Sequence, residues 1–290
     1  MGYTNKQSSF QASTDNTKIF YQSWRKPNAN RLLVIQHGFG EHSDRYSNII
    51  DKLKDSDFSI YALDSRGHGR SEGIRGHVPQ FQYYINDLSD LIHIALEQEK
   101  KEKFFLLGHS LGGVISLQYT MEVHNQDKMH GLVVSSPGLK VKFDFEKLVK
   151  RELAKILANV IPEFVVDANI DINLLSHDKA VVQAYKDDPL NHGKISFQMA
   201  NHLFRLSYAI YEKARTIEIP IFMIHGEADG VAEARGSIEL DSHITASKNK
   251  SLKLYPGLYH ELMNELPESR NIVLSDIKNF LDSVIPEKIK

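Results

Sequence analysis

The sequence predicts an α/β protein: a mostly parallel central sheet with helices on both faces, interrupted by one long helical insertion. Three observations carry this expectation. Short apolar runs alternate with amphipathic stretches along most of the chain, the pattern of strands joined by crossover helices. The alternation stops after Ser136-Pro137 and resumes at "IPIFMIHG" near Ile219, with helical period but no convincing strand between. The length, 290 residues with 41% hydrophobic and 25% charged, suits one substantial core, as a single domain or a domain with a large insertion.

Taken in order, short apolar runs predict strands over 17–24, 31–36, 59–64, 104–107, 131–135, 219–225 and 251–255. Amphipathic stretches predict helices over 46–54, 81–98, 111–124, 236–246 and 269–284. The front end, before Trp24, lacks helical period and reads as an antiparallel hairpin on the sheet edge. The division is therefore a core in two parts, 1–137 and 217–290, with an all-helical cap at 138–216 between them.

Composition narrows the chemistry. A formal charge of −2 gives no basis for a nucleic-acid partner, which would call for a basic excess. Without cysteine there are no disulfides, thiolate metal sites or cysteine nucleophiles, and the chain suits a reducing compartment. The first twenty residues lack the apolar core of a signal peptide, and no run approaches bilayer length. Met1-Gly2 is followed by Lys6 where a myristoylation signal has serine or threonine. The expectation is a soluble cytoplasmic protein, with peripheral membrane contact left open.

The stretch "KFFLLGHSLGGVISLQY" sets Ser110 between a strand and a helix, in the spacing G-x-S-x-G formed by Gly108 and Gly112. A sharp strand-to-helix turn strains the serine backbone and crowds its neighbours, and glycines two before and two after relieve that crowding. A hydroxyl needs a base to take its proton, and the base needs an acid to orient it. Each should lie just beyond a strand. "IPIFMIHGEADGV" places Asp229 after one, and "SLKLYPGLYHELMNE" places His260 after the next. The order Ser, Asp, His is that of an α/β-hydrolase. Turn aspartates are common and the chain has fourteen histidines, so the assignment rests on order, strand context and spacing together. Glu227 is the rival acid, ahead of Asp187 and Asp188 in the insertion. "LLVIQHGFGEHSDRY" supplies an oxyanion loop, with Phe39 N–H as one donor and Leu111 N–H, after the nucleophile, as the other. His37 is expected to shape that loop, and Gly230 to make the acid loop flexible.

Four stretches, "HGFGEHSDRY" (37–46), "LDSRGHGRSEG" (63–73), "GHSLGG" (108–113) and "YHELMNE" (259–265), resemble the monoacylglycerol lipase and lysophospholipase family of serine α/β-hydrolases. "YKDDPLNHGKIS" (185–196) is similar to that family's insertion. The resemblance spans nearly the whole chain and puts the catalytic serine, aspartate and histidine on Ser110, Asp229 and His260. It implies cleavage of carboxylic esters of single-chain lipids, monoacylglycerol foremost. Lysophospholipase and short-chain carboxylesterase activities are the alternatives, and a non-catalytic hydrolase-fold binding module is the reading from another class.

In the insertion, Leu148, Val149, Leu153, Ile156, Leu157, Val160 and Ile161 recur at helical spacing, with Lys150, Arg151, Glu152, Lys155 and Asn159 largely opposite. In a lipase-like enzyme this is a cap helix whose apolar side, with Leu153, Ile156 and Leu157, borders the acyl tunnel or touches lipid; the alternative is packing on its own domain. Basic residues Lys140, Lys142, Lys147, Lys150, Arg151 and Lys155 outnumber Asp144, Glu146 and Glu152 here, which favours an anionic interface. Glu41 and Arg45 either bind a polar head near the oxyanion loop or brace that loop. "GHGRSEG" does not fit the dinucleotide fingerprint, "HELMN" lacks the second histidine of a zinc motif, and no P-loop occurs, so neither cofactor nor metal is expected.

Overall fold

The computed structural model describes residues 2–141 and 157–284. The first half supplies β1 (Thr4–Gln11), β2 (Lys18–Arg25), β3 (Arg31–Gln36), α1 (Ser47–Lys52), β4 (Phe58–Leu63), α2 (Gln82–Glu99), β5 (Phe104–His109), α3 (Leu111–Met121), α4 (Val123–Gln126) and β6 (Met129–Ser135). The second half adds β7 (Val165–Asp167), α5 (Lys179–Asp187), β8 (Lys194–Ser196), α6 (Phe197–Lys213), β9 (Ile221–Gly226), α7 (Ala234–His243), β10 (Lys250–Tyr255) and α8 (Pro267–Ser283).

Eight strands form one sheet in the order β1-β2-β4-β3-β5-β6-β9-β10. β1 and β2 are antiparallel, as are β2 and β4, and every other pairing is parallel. The expected edge hairpin is therefore present, although β1 itself carries no apolar signal: its sequence TNKQSSFQ is mostly exposed, and pairing with β2 holds it.

Alternation along the strands sorts the core into two layers. On β5, Phe104 and Leu106 join the layer containing Leu88 and Leu91 of α2 and Val114 of α3, whereas Phe105 and Leu107 join the layer containing Ile49 of α1 and Ile277 of α8. Helices thus cover both faces, and the strands from β3 to β9 point their carboxyl ends at one edge, where the loops that matter collect.

Most expected elements stand within two or three residues of their expected ends. The helix expected over 111–124 breaks at Glu122, whose backbone is extended, before α4 begins. The all-helical insertion needs correction. Between β6 and β9, the three-residue strands β7 and β8 pair antiparallel, and a 3-10 turn spans Ile172–Leu174. Strands so short show no readable period, and their pairing partners are remote in sequence. Of the expected cap helix, only the turn at 157–160 falls within the described residues; Leu153 and Ile156 lie outside them.

Candidate active site

Ser110 sits at the turn from β5 into α3 with φ 53° and ψ −117°, a conformation that L-residues rarely adopt. Its flanking glycines are required by contact. A Cβ on Gly112 would lie 2.1 Å from the Gln36 carbonyl oxygen, and one on Gly108 would lie 2.4 Å from the Gly112 carbonyl oxygen. The turn is pinned from both directions: Ser110 N–H donates to Ser135 O (3.0 Å), and Ser110 O accepts from Gly138 N–H (3.1 Å).

His260, in the loop after β10, brings Nε2 to 3.0 Å from Ser110 Oγ and donates Nδ1–H to Asp229 Oδ2 at 2.7 Å. With Nδ1–H committed to the carboxylate, Nε2 presents a lone pair to the serine hydroxyl. Asp229 Oδ1 is held by the amides of Val231 (2.8 Å) and Ala232 (2.9 Å). Burial alone would lower the His260 pKa, yet the adjacent Asp229 charge outweighs it, and the pKa is raised. Burial disfavours the charge of Asp229, but His260 and His225 outweigh it and hold its carboxyl below the usual range. The neighbouring His109, with its ring 4.8 Å from that of His260, is pushed down to about 4 by burial and by His260.

None of the rival acids makes a described contact with His260. Glu227 is exposed, Asp187 accepts from Gln183, and Asp188 accepts from His42 Nε2–H at 2.8 Å. The expectation about Gly230 is also corrected. A Cβ there would lie 2.5 Å from Leu174 Cδ1 and 3.0 Å from Leu174 Cγ, so glycine admits the overlying segment, while the Val231 and Ala232 amides fix the turn.

On the other side of β5, the loop after β3 carries Phe39. Phe39 N–H and Leu111 N–H have no protein acceptor among the described residues, and both residues line the pocket that holds Ser110. His37 shapes the loop as expected: Nδ1–H donates to Gly38 O (2.7 Å) and Nε2 accepts from Ser65 N–H (2.7 Å). Glu41 Oε1 accepts from Gly38 N–H (2.6 Å) and Tyr46 O–H (2.8 Å). Arg45 joins Glu41 Oε2 (3.1 Å) to Glu261 Oε1 (2.6 Å). Of the two readings for Glu41 and Arg45, the contacts are those of a brace, with Glu41 also reaching the pocket wall.

The segment between β6 and β9 closes over this loop. Tyr185 O–H (3.1 Å) and His192 N–H (3.0 Å) both donate to Gly40 O. The resulting pocket encloses about 620 Å³, counting the part open to solvent. Leu111, Val141, Ile170, Leu175, Leu203 and Val231 give it an apolar wall, and Glu41, His109, Tyr185 and Glu261 a polar one. Leu157 is not part of this wall and packs on the main core. Sequence reasoning missed Tyr185, His192, His109, His225 and Glu261. Tyr185 and His192 do lie in the stretch "YKDDPLNHGKIS", but their partners are roughly 150 positions away.

A strained serine at a strand-to-helix turn, served from later loops by histidine and then aspartate, on a mostly parallel sheet, defines the α/β-hydrolases. The family described as serine aminopeptidase, S33 matches residues 27–267, and the chain belongs to it. The chain is 33% identical to a monoacylglycerol lipase of Mycolicibacterium smegmatis over 94% of its own length and 95% of the relative's. It is 31% identical to the monoglyceride lipase of Rattus norvegicus, over 93% and 88% respectively. The crystal structure of a Paleococcus ferrophilus monoacylglycerol lipase is similar at a TM-score of 0.78 and 30% identity, with 98% of this chain and 100% of that one covered.

Proposed function

We propose that the protein hydrolyses carboxylic esters of single-chain lipids, monoacylglycerols foremost, with Ser110 as nucleophile, His260 as base and then acid, and Asp229 as its orienting partner. The observation that carries this reading is the continuous relay from Asp229 through His260 to Ser110, opening on a pocket with one apolar and one polar wall. The names of the two relatives and of the Paleococcus structure supply the substrate class.

Ser110 Oγ attacks the ester carbonyl as its proton passes to His260 Nε2, and the carbonyl oxygen becomes an oxyanion facing the Phe39 and Leu111 amides. Each such donor contributes about 2.7–4 kcal/mol to the transition state. Collapse of the tetrahedral species breaks the ester C–O bond, and His260 gives its proton to the departing glycerol oxygen. Water then attacks the acyl-serine, loses its proton to His260, and the fatty acid leaves as Ser110 recovers that proton.

Residues 138–216 act as the cap in this reading. Among the described residues of this cap, Val160, Ile161 and Phe164 are exposed within five positions of one another and suit peripheral contact with lipid. A lysophospholipase would be favoured by basic residues near the phosphate of its leaving group; of the basic residues of the insertion named above, Lys140 is described and pairs with Glu239. An aminopeptidase reading needs a carboxylate for a free α-ammonium, yet Glu41 and Glu261 already share Arg45.

The test is kcat/KM for 1-monoacylglycerol and for lysophosphatidylcholine of the same acyl chain, beside Ser110→Ala. Serine-dependent preference for the glycerol ester is expected. Preference for the phospholipid would move the assignment, and substantial turnover by Ser110→Ala would overturn it.

A further inference from the structure

Asp229 carries a second imidazole that the mechanism above does not use. His225, the fifth residue of β9, is fully buried, and its Nε2 lies 3.1 Å from Asp229 Oδ2 and 3.1 Å from Ala232 O. Both neighbours are acceptors, so Nε2 carries the hydrogen. On the ring's other side, Ser237 Oγ lies 2.7 Å from Nδ1, where its hydroxyl donates to the remaining lone pair. Ser237, in the first turn of α7, is also fully buried.

Oδ2 is the atom that orients His260, while Oδ1 is occupied by two backbone amides. A carboxylate oxygen so placed can rotate toward, or share its charge with, any further donor. We infer that His225, set in its tautomer by Ser237, is a positioning residue that fixes Asp229 Oδ2 and tempers how strongly this oxygen stabilises the charged form of His260. The inference rests on the triad reading above.

Loss of the Nε2–H donor removes one of the described donors to Oδ2 and leaves more of its charge to His260. Imidazolium is then favoured more, and the base is protonated at a higher pH. Other groups facing His260 are His109, Glu41 and Glu261, and those facing Asp229 are His260 and His225. Apart from His225 itself, none is altered by substitutions at 225 or 237.

Wild type, His225→Leu, His225→Gln and Ser237→Ala should be compared on a soluble p-nitrophenyl ester, with kcat/KM followed against pH and active sites counted with a fluorophosphonate. His225→Leu is expected to lose roughly tenfold in kcat per titrated site, the size of one hydrogen bond, and to move the acid limb upward. His225→Gln keeps a donor toward Asp229 and an acceptor toward Ser237, and should restore both. Ser237→Ala should move the acid limb in the same direction by less. An unchanged acid limb in His225→Leu overturns the inference, as does a His225→Gln enzyme as impaired as the leucine variant. If His225→Leu does not fold, Ser237→Ala decides: an acid limb unchanged in that variant overturns the inference. A wild type that does not react with the fluorophosphonate overturns the triad reading instead.

Discussion

The loops that carry Asp229 and Phe39 approach Ser110 from opposite sides of β5, and they are held in different ways. Asp229 is fixed almost locally: two amides within three residues of it take Oδ1, and His225, four residues earlier, reaches Oδ2. The Phe39 loop is fixed mainly from far away. Arg45 ties Glu41 to Glu261, 216 positions later in sequence than Arg45 itself, and Tyr185, Asp188 and His192 reach down from the overlying segment. Backbone amides near their target require no distant assembly, whereas a buried ionic brace works only once the whole fold has closed. The acid side should therefore be sensitive in rate, and the oxyanion side in stability.

The largest expected effect breaks the relay while sparing the turn. Asp229→Asn keeps an acceptor for the two amides but offers His260 an N–H₂ group, favouring the wrong tautomer; kcat should fall by roughly 10⁴ with a nearly unchanged Tm. A variant that retained wild-type kcat would show that the acid loop does not orient His260.

Next comes Arg45→Met, which leaves two buried carboxylates without their shared cation and should cost about 3–5 kcal/mol in denaturant unfolding. If the loss is under about 1 kcal/mol, the Phe39 loop holds itself much as the Asp229 loop does, and the contrast drawn above disappears.

Acidification sharpens the comparison. Burial disfavours the Glu41 charge, but His109, Arg45 and the Gly38 amide outweigh it and depress its pKa, and that of Asp229 is depressed too. Such groups contribute stability above their unfolded values of 4.5 and 3.8, and the contribution is lost as pH falls further toward the folded values. Glu41→Gln should flatten part of that dependence in chemical unfolding below pH 4.5. His260 has the opposite sign: its raised pKa gives stability at low pH that is lost as pH rises through the folded value. Activity, which needs the neutral base, should accordingly fail on acidification through a pKa above 6.5, before either carboxylate is protonated.

The smallest effect is expected of Tyr185→Phe, which removes one of two donors to Gly40 O at a cost of about 1 kcal/mol. It should appear in kcat more than in KM for a soluble ester, since the contact supports the loop bearing the Phe39 amide. A change confined to KM would make Tyr185 a substrate contact rather than a support.

The sequence alone determined the parts governed by short-range rules. Buried strands read as apolar runs, α2 and α8 as amphipathic stretches, and the glycines around Ser110 as the mark of a crowded turn, because each signal lies within a few residues of its cause. Asp229 and His260 were legible for a related reason: parallel strands end at the same edge, so residues just past them converge. Tertiary structure alone decided which groups support that convergence. β1 exists because β2 is beside it, β7 finds β8 across the intervening α5, and Gly230 is small because Leu174 lies against it. Arg45 serves as a brace because Glu41 and Glu261 meet at its guanidinium, and His225 faces Asp229 because β9 turns sharply at its end. These are pairings between surfaces that the chain brings together only on folding, and no local pattern of residue types encodes them.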